Sequence, residues 1–399
     1  MTRHEDVIVV GAGIGGLAAA LLIARTGRRV TLLERIAEPG NVGAGLLLQP
    51  NGLAVLDGIG IAPALRAAGH AIPAADVRRP DGRLVMRAPI VDHGPGLDHA
   101  LAVRRSVLHS LLHDEVTRCD LVTTLLGAEV DSVRPRGSVH VAGTTQTLEA
   151  ALVVGADGVR SVVRASGAFD AVVTETRATY LRGTIEGHDD VLHGEYWTSL
   201  GLFGGAPLGD GSTYFYASAQ SGPVAAAMAR RDLPALRALW ADALPLTAPL
   251  LGAVATYDDL LVNDVTRVDA ARWSDGALVL LGDAAHAMAP TLGQGANSAL
   301  VDAAVLALEL DAADSPARSL EAYERRRRAP VRKVQDAADR VTRLSNLSGS
   351  VRTRAVDLVL RGLARVGPVS LRQDRVVQQE DPAALRESLS RLGGPRADP

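Results

Sequence analysis

Two hydrophobic rhythms run along this 399-residue chain, and the switch between them sketches the fold. Val7 to Val10 are apolar without interruption, as in a strand buried on both faces of a parallel sheet. Glycines follow, then the small apolar run Ile14 to Ala24 reads as a buried helix, and Val30 to Leu33 as a second strand. "QPNGLAVLDGIG" predicts a further helix, and residues 71 to 100 a hairpin turning at Asp81-Gly82. "RRSVLHSLLHDEV" has helical spacing, "GAEVDSVRPRGSVHVAG" alternates as antiparallel strands do, and "AALVVGADGVRSVVR" returns to a buried strand. Residues 170 to 265 are rich in strand and turn signals, with a helical piece near 223 to 244. Within them, "GSTYFYASA" sets Tyr214 and Tyr216 on one face and Phe215 on the other. After the apolar strand that ends at Gly282-Asp283, the pattern beyond residue 300 is helical and arginine-rich to the end.

The first strand, turn and helix carry chemistry. Gly11, Gly13 and Gly16 spell G-x-G-x-x-G. The first glycine permits a tight turn, the second lets backbone approach a pyrophosphate, and the third lets helix pack on strand. The helix N-terminus offers unpaired N–H groups to phosphate. Glu34 lies 18 residues beyond Gly16, where its carboxylate can accept hydrogen bonds from a ribose diol. Strand, helix and acid together identify a dinucleotide site, but not which dinucleotide.

Composition narrows the rest. A net charge of −3 shows no nucleic-acid or membrane surface. The uncharged stretch from Val7 to Ala24 approaches the length of a membrane span, but its glycine turn would break a spanning helix. The expectation is a cytoplasmic enzyme, monomer or homodimer. A single cysteine, Cys119, excludes an intrachain disulfide and a cysteine-rich metal cluster, and reads as a small packed residue. No metal site is expected.

Three segments in order, "GAGIGG" with Glu34, "GADGVRSVVR" at 155–164 and "GDAAHAMAPTLGQGANSAL" at 282–300, resemble those of class A FAD-dependent monooxygenases, the para-hydroxybenzoate hydroxylase-like aromatic hydroxylases. The resemblance implies an α/β fold: a Rossmann-like FAD-binding domain interleaved with a β-sheet substrate domain, and C-terminal helices. Residues 1–70, 100–168 and 270–340 would form the FAD domain, 71–99 and 169–269 the substrate domain, and 341–399 a helical segment.

By the same resemblance, Asp283 would meet the ribityl hydroxyls of FAD. The loop from Pro290 through Gly293 and Gly295 to Asn297 would bring backbone N–H groups to the flavin ring. Asp157 would serve FAD and reduced nicotinamide, with Arg160 and Arg164 nearby. Arg105, or its neighbour Arg104, would help hold FAD, and Arg35 could contact the adenosine side. Other readings stay open beside these. Asp283 also suits a helix N-cap and Asp157 a turn, while His286 reads as structural more readily than as an acid–base group. The run Arg325 to Arg328 reads as a solvated helix face.

The implied chemistry is the cofactor's. NADH or NADPH, bound transiently, reduces FAD, and with dioxygen a flavin C(4a)-hydroperoxide hydroxylates an aromatic or polycyclic small molecule. Epoxidation, Baeyer–Villiger insertion or drug-inactivating hydroxylation by the same oxidant are the alternatives, and a flavin redox sensor is the remote one. No side-chain base announces itself. Tyr214 and Tyr216 are the pocket candidates, with Tyr180, Arg182, His193 and Trp197 in the same region.

Overall fold

The structure, a computed structural model, describes residues 6–38, 44–145, 147–188, 191–192, 194–313, 315–346 and 369–393. His193 lies outside them, as does much of the 341–399 segment.

Val7–Val10 sits inside a six-stranded sheet because every one of its residues is apolar and buried. The spatial order is Ser274–Asp275, Leu278–Leu280, Leu152–Gly155, Val7–Val10, Val30–Glu34 and Val122–Leu126. All neighbours are parallel except the short edge strand Ser274–Asp275. Helix Ile14–Arg25 has no polar stripe because it has no wet face: Ile14 through Ala24 are all buried. It packs on helix Gly295–Ala312 so closely that a Cβ at Gly15 would lie 3.0 Å from that of Ala299.

The second large sheet has seven strands: Leu261–Ala270, Ala171–Glu186, Ser212–Ser218, Gly201–Pro207, Gly194–Thr198, Ala74–Arg78 and Leu84–Pro89. Its neighbours are antiparallel apart from Gly194–Thr198 beside Ala74–Arg78. One face carries Phe203 and Phe215, which belong to a core with the helices Gly222–Ala229, Leu233–Ala243 and Thr247–Ala253. Two helices thus stand where the sequence showed one helical piece near 223 to 244, and a third follows it. Phe203 meets Trp240 edge-on at 5.2 Å. Tyr214 and Tyr216 point to the other face, Tyr214 toward Ala44 and Ala102 and Tyr216 toward Ala289 and Leu292.

One expectation about the C-terminal part needs correcting. The arginine run of helix Pro316–Ser345 is not simply a solvated face: Arg327 is 0% exposed and pairs with the equally buried Asp302 at 2.8 Å. The reason is helical period. Tyr323, Arg327 and Val331 recur every four residues along the buried stripe, which a count of adjacent charges conceals. Arg326 is half-buried and holds Glu309 and Glu380.

Candidate functional site

The glycines define a cradle by the space around them. Gly11 has φ +100°, and a Cβ there would fall 2.6 Å from the Ala156 carbonyl oxygen. A Cβ on Gly16 would fall 1.9 Å from the Gly11 oxygen. Those two are glycine so that turn, helix and strand can touch. Gly13 differs: a Cβ there meets nothing within 4 Å, and the same is true of Gly158 and Gly295. Their missing side chains leave open space on one side of the sheet. Helices Ile14–Arg25 and Gly295–Ala312 both start without a side-chain cap, so each presents a partial positive charge. Open backbone beside uncapped N-termini suits a pyrophosphate and an anionic ring.

Around this cradle the acidic and basic candidates divide. Glu34 closes its strand, with Oε2 accepting from Ala12 N at 2.8 Å and Oε1 from Ile36 N at 2.9 Å. Arg35 beside it is exposed. Asp157 acts as a cap: its Oδ2 accepts from Val162 N at 2.7 Å and Val163 N at 3.2 Å, at the start of helix Val162–Ser166. Its other oxygen, Oδ1, is buried and has no hydrogen-bond partner among the described residues. Burial pushes the Asp157 carboxyl up, against the hydrogen bonds that pull it down. Arg164 is spent on the Ala284 and Val159 carbonyls at 2.9 and 2.6 Å, whereas Arg160 is exposed.

Asp283 follows Gly282, whose φ of +59° turns the chain from strand into the short helix Asp283–His286. Its side chain is exposed and accepts no hydrogen bond among the described residues. Arg105 faces it. Desolvation lowers the Arg105 pKa, the Asp283 charge works against that, and Arg182 repels it from the sheet side. Arg104 is already engaged, bound to Glu186 at 2.9 Å and to Asp210. Of the two arginines, Arg105 is the one left for a ligand.

The loop after Asp283 is held from behind. Pro290–Leu292 forms one 3-10 turn, Gly293 adopts φ +62°, and Gly295 opens the helix. Asn297 is fully buried, donating to the Leu47 and Gly293 carbonyls at 2.9 and 2.7 Å and accepting from Gln49 N at 3.0 Å. Its side chain is committed to the loop's shape, so only backbone remains for a cofactor. His286 is structural: its Nε2 lies 2.5 Å from Asp302 Oδ2, and its ring stacks on Trp273 at 4.9 Å. Asp302 also accepts from Gly282 N at 2.9 Å, so the buried His286–Asp302–Arg327 cluster anchors the turn before Asp283.

Against the loop stands the sheet face. Tyr214 is buried, and strand Gly45–Leu48 lies on its ring, where a Cβ at Gly45 would come within 2.5 Å. Tyr216 packs toward Trp197, Leu292 and Ala289, and its ring centroid is 5.6 Å from that of Tyr214. Tyr180 is buried beside Asn346. Tyr216, Trp197, Arg182, Leu47 and Leu292 are each half-buried. The sequence missed one residue here. Glu195 receives the Tyr216 hydroxyl at 3.0 Å and the Trp197 indole N–H at 3.3 Å. Nothing in "HGEYW" marks it, because its importance depends on which strand lies beside it.

A family model described as the FAD binding domain matches residues 4–338. The chain belongs to this FAD-binding family. Among related proteins, the aurachin C monooxygenase/isomerase of Stigmatella aurantiaca is 31% identical over 315 residues, covering 77% of this chain and 81% of that protein. The 2-heptyl-3-hydroxy-4(1H)-quinolone synthase of Mycobacteroides abscessus is 31% identical over 355 residues, covering 86% and 90%. Of solved structures, the tetrameric form of 2-methyl-3-hydroxypyridine-5-carboxylic acid oxygenase is 25% identical with a TM-score of 0.78, covering 96% of this chain and 98% of that one. This family member is an NAD(P)H-dependent flavoprotein monooxygenase, and FAD is its cofactor. Among the described residues no helix is long and apolar enough to cross a membrane.

Proposed function

We propose that the enzyme hydroxylates an oxygenated aromatic ring, with nitrogen heteroaromatics of the 4(1H)-quinolone and hydroxypyridine kind first among the candidates. The observation that carries this reading is that the glycine-rich loop at 290–295 stands against the half-buried Tyr216–Trp197 face. A flat ring fits between backbone on one side and aromatic side chains on the other. The names of two relatives point to the same substrate chemistry.

In this reading Gly11, Gly13 and Gly16 with the first helix N-terminus hold the FAD pyrophosphate, and Glu34 and Arg35 the adenosine side. Asp283 takes the ribityl hydroxyls, Arg105 adds positive charge, and the backbone from Pro290 through Gly293 and Gly295 to Asn297 meets the ring. Asp157 shapes this pocket as a cap. FAD held there would supply the oxygen-transfer chemistry, with NADH or NADPH as reductant and dioxygen as the oxygen source. The protein's part is to place the substrate carbon and to keep water out. Leu292, Leu47, Trp197 and the tyrosines serve the second task. Tyr214 supports the wall from behind, and Tyr216 faces the ring.

The test is NADH and NADPH oxidation by FAD-loaded enzyme, with and without 2-heptyl-4(1H)-quinolone, 4(1H)-quinolone, 2-methyl-3-hydroxypyridine-5-carboxylate and 3-hydroxybenzoate. Peroxide and oxygenated product are quantified in the same reactions. Stimulated oxidation with product and little peroxide is the expected outcome. Absence of stimulation by every compound would overturn the substrate class.

A further inference from the structure

Cross-strand register lines up four residues on the sheet face that looks toward the flavin loop. Glu195 pairs with Gly204, Gly204 with Tyr216, and Tyr216 with Arg182. Directly opposite residues share a face, so the row reads carboxylate, gap, phenol, guanidinium. Gly204 is the gap: a Cβ there would lie 2.7 Å from the Tyr216 ζ carbon and 2.8 Å from its hydroxyl oxygen. The tyrosine therefore lies across the glycine and delivers its hydroxyl to Glu195 at 3.0 Å. The Trp197 indole can only donate, and it donates to the other Glu195 oxygen at 3.3 Å. Two donors aimed at one carboxyl group fit its ionised form. Among the described residues no ion pair neutralises Glu195, so this carboxylate is an expense that packing alone does not explain.

We propose that Tyr216 and Glu195 form a proton relay that takes an acidic O–H or ring N–H proton from the aromatic substrate, Tyr216 touching the substrate and Glu195 positioning and driving Tyr216. The relay rests on the aromatic-substrate reading and supplies the base that reading lacked. In the step, the substrate O–H or N–H bond breaks and its electron pair stays on the substrate. The proton bonds to the Tyr216 hydroxyl oxygen while the proton already there moves to Glu195 Oε1. Tyr216 ends neutral, Glu195 becomes the neutral acid, and the substrate becomes an electron-rich anion suited to accepting an oxygen atom. Arg182, at the end of the row, adds positive charge beside it. Glu195 returns to its ionised form by losing this proton to water as the product leaves.

The proton affinities run the right way. Burial raises the Glu195 pKa above the ordinary glutamate range, making it a stronger base once ionised. Burial, together with the nearby Glu195 charge, drives Tyr216 well above the usual tyrosine value, so it passes a proton on and does not hold a charge. The titratable and charged groups facing the pair are Tyr180, Tyr214 and Arg182, all from the same sheet. The facing loop and helix contribute Ala289, Leu292, Thr342 and Asn346, none of which titrates.

The experiment uses FAD-loaded wild type, Glu195→Gln and Tyr216→Phe with the panel compound that best stimulates NAD(P)H oxidation, and its O- or N-methylated analogue. FAD content and thermal midpoint confirm that each variant is folded. The first readout is the ultraviolet difference spectrum of the bound compound against pH, without NAD(P)H. Wild type should bind the anion at a lower pH than Glu195→Gln does. The second is the pH profile of stimulated oxidation, which should lose its acidic limb in Glu195→Gln together with about 10²-fold in rate. Tyr216→Phe should reproduce both changes, and it carries the test if Glu195→Gln does not retain FAD. An unchanged limb and unchanged ligand ionisation in the variants would overturn the relay. So would an equal loss with the methylated analogue, which has no proton to give. If no compound stimulates the wild type, the substrate reading itself falls and the relay with it.

Discussion

The two sheets build their halves of the site from different materials. On the proposed reading, the cofactor side, on the parallel sheet, is made of backbone: glycines that leave space, two uncapped helix starts, and a loop clamped from behind by Asn297. The proposed substrate side, on the antiparallel sheet, is made of side chains set in a row by register, with Gly204 as the gap in that row. The difference teaches how each half can vary. Backbone recognition suits a cofactor that never changes, because main-chain donors survive every substitution except proline. Side-chain recognition leaves the substrate half free to change its chemistry residue by residue.

Breaking the anchor of the cofactor half should have the largest effect. Arg327→Ala leaves the Asp302 carboxylate buried with one cationic partner fewer, and removing one member of such a pair costs about 3–5 kcal/mol. Urea unfolding measures it, and a loss under 1 kcal/mol would show that the cluster does not anchor the fold.

Acid should find the same weak point. Burial alone would raise the Asp302 pKa, but the His286 and Arg327 charges and the Gly282 N–H reverse this and bring it to about 2. A folded-state value below the unfolded one, about 3.9, means that this stability is fully present above pH ~4. It should fade as pH falls through about 2, by about 2–3 kcal/mol in all. Denaturation midpoints across that window should drop in wild type and less in Asp302→Asn; equal slopes would remove Asp302 as the cause.

Next comes the proposed cofactor contact. Asp283→Ala should weaken FAD retention by about 1.5–3 kcal/mol, the usual value of a hydrogen bond to a charged group. Equilibrium dialysis or flavin fluorescence would read it, with unchanged affinity counting against the assignment. Gly204→Ala should do the reverse, keeping FAD while moving Tyr216 off Glu195 and reducing substrate-stimulated oxidation. If FAD content fell as well, the two halves would not be separable.

The smallest effect belongs to Tyr214→Phe. The ring's contact with Gly45 survives, and no hydrogen bond of the hydroxyl is seen among the described residues, so turnover and coupling should change less than in Tyr216→Phe. A larger effect would move the substrate toward Tyr214 and sharpen the map of the proposed site.

Local pattern was enough for the elements that stand on their own periodicity. The apolar run Val7–Val10, the glycine turn, the Asp81-Gly82 hairpin and the opposed faces of Tyr214 and Phe215 are each written within a few consecutive residues. Their physical causes are local too: side-chain direction alternates in a strand, and only glycine enters φ near +100° without strain. Arg327 shows where that legibility stops, since adjacent charges look solvated until the helix has a neighbour to bury them against. Asp157 and Asn297 show it again, as both spend their side chains on holding backbone.

The sequence by itself determined the dinucleotide turn, the alternation of strand and helix, and the family that the three motifs resemble, because those depend on residues close in the chain. Only the tertiary structure decided that Arg105 and not Arg104 is free, that Arg327 is buried, and that Glu195 meets Tyr216. Each of those facts joins residues 21 or more positions apart, or turns on which partners other strands and helices supply. A strand's neighbour and register are settled by the packing of the whole sheet, and no local pattern contains them.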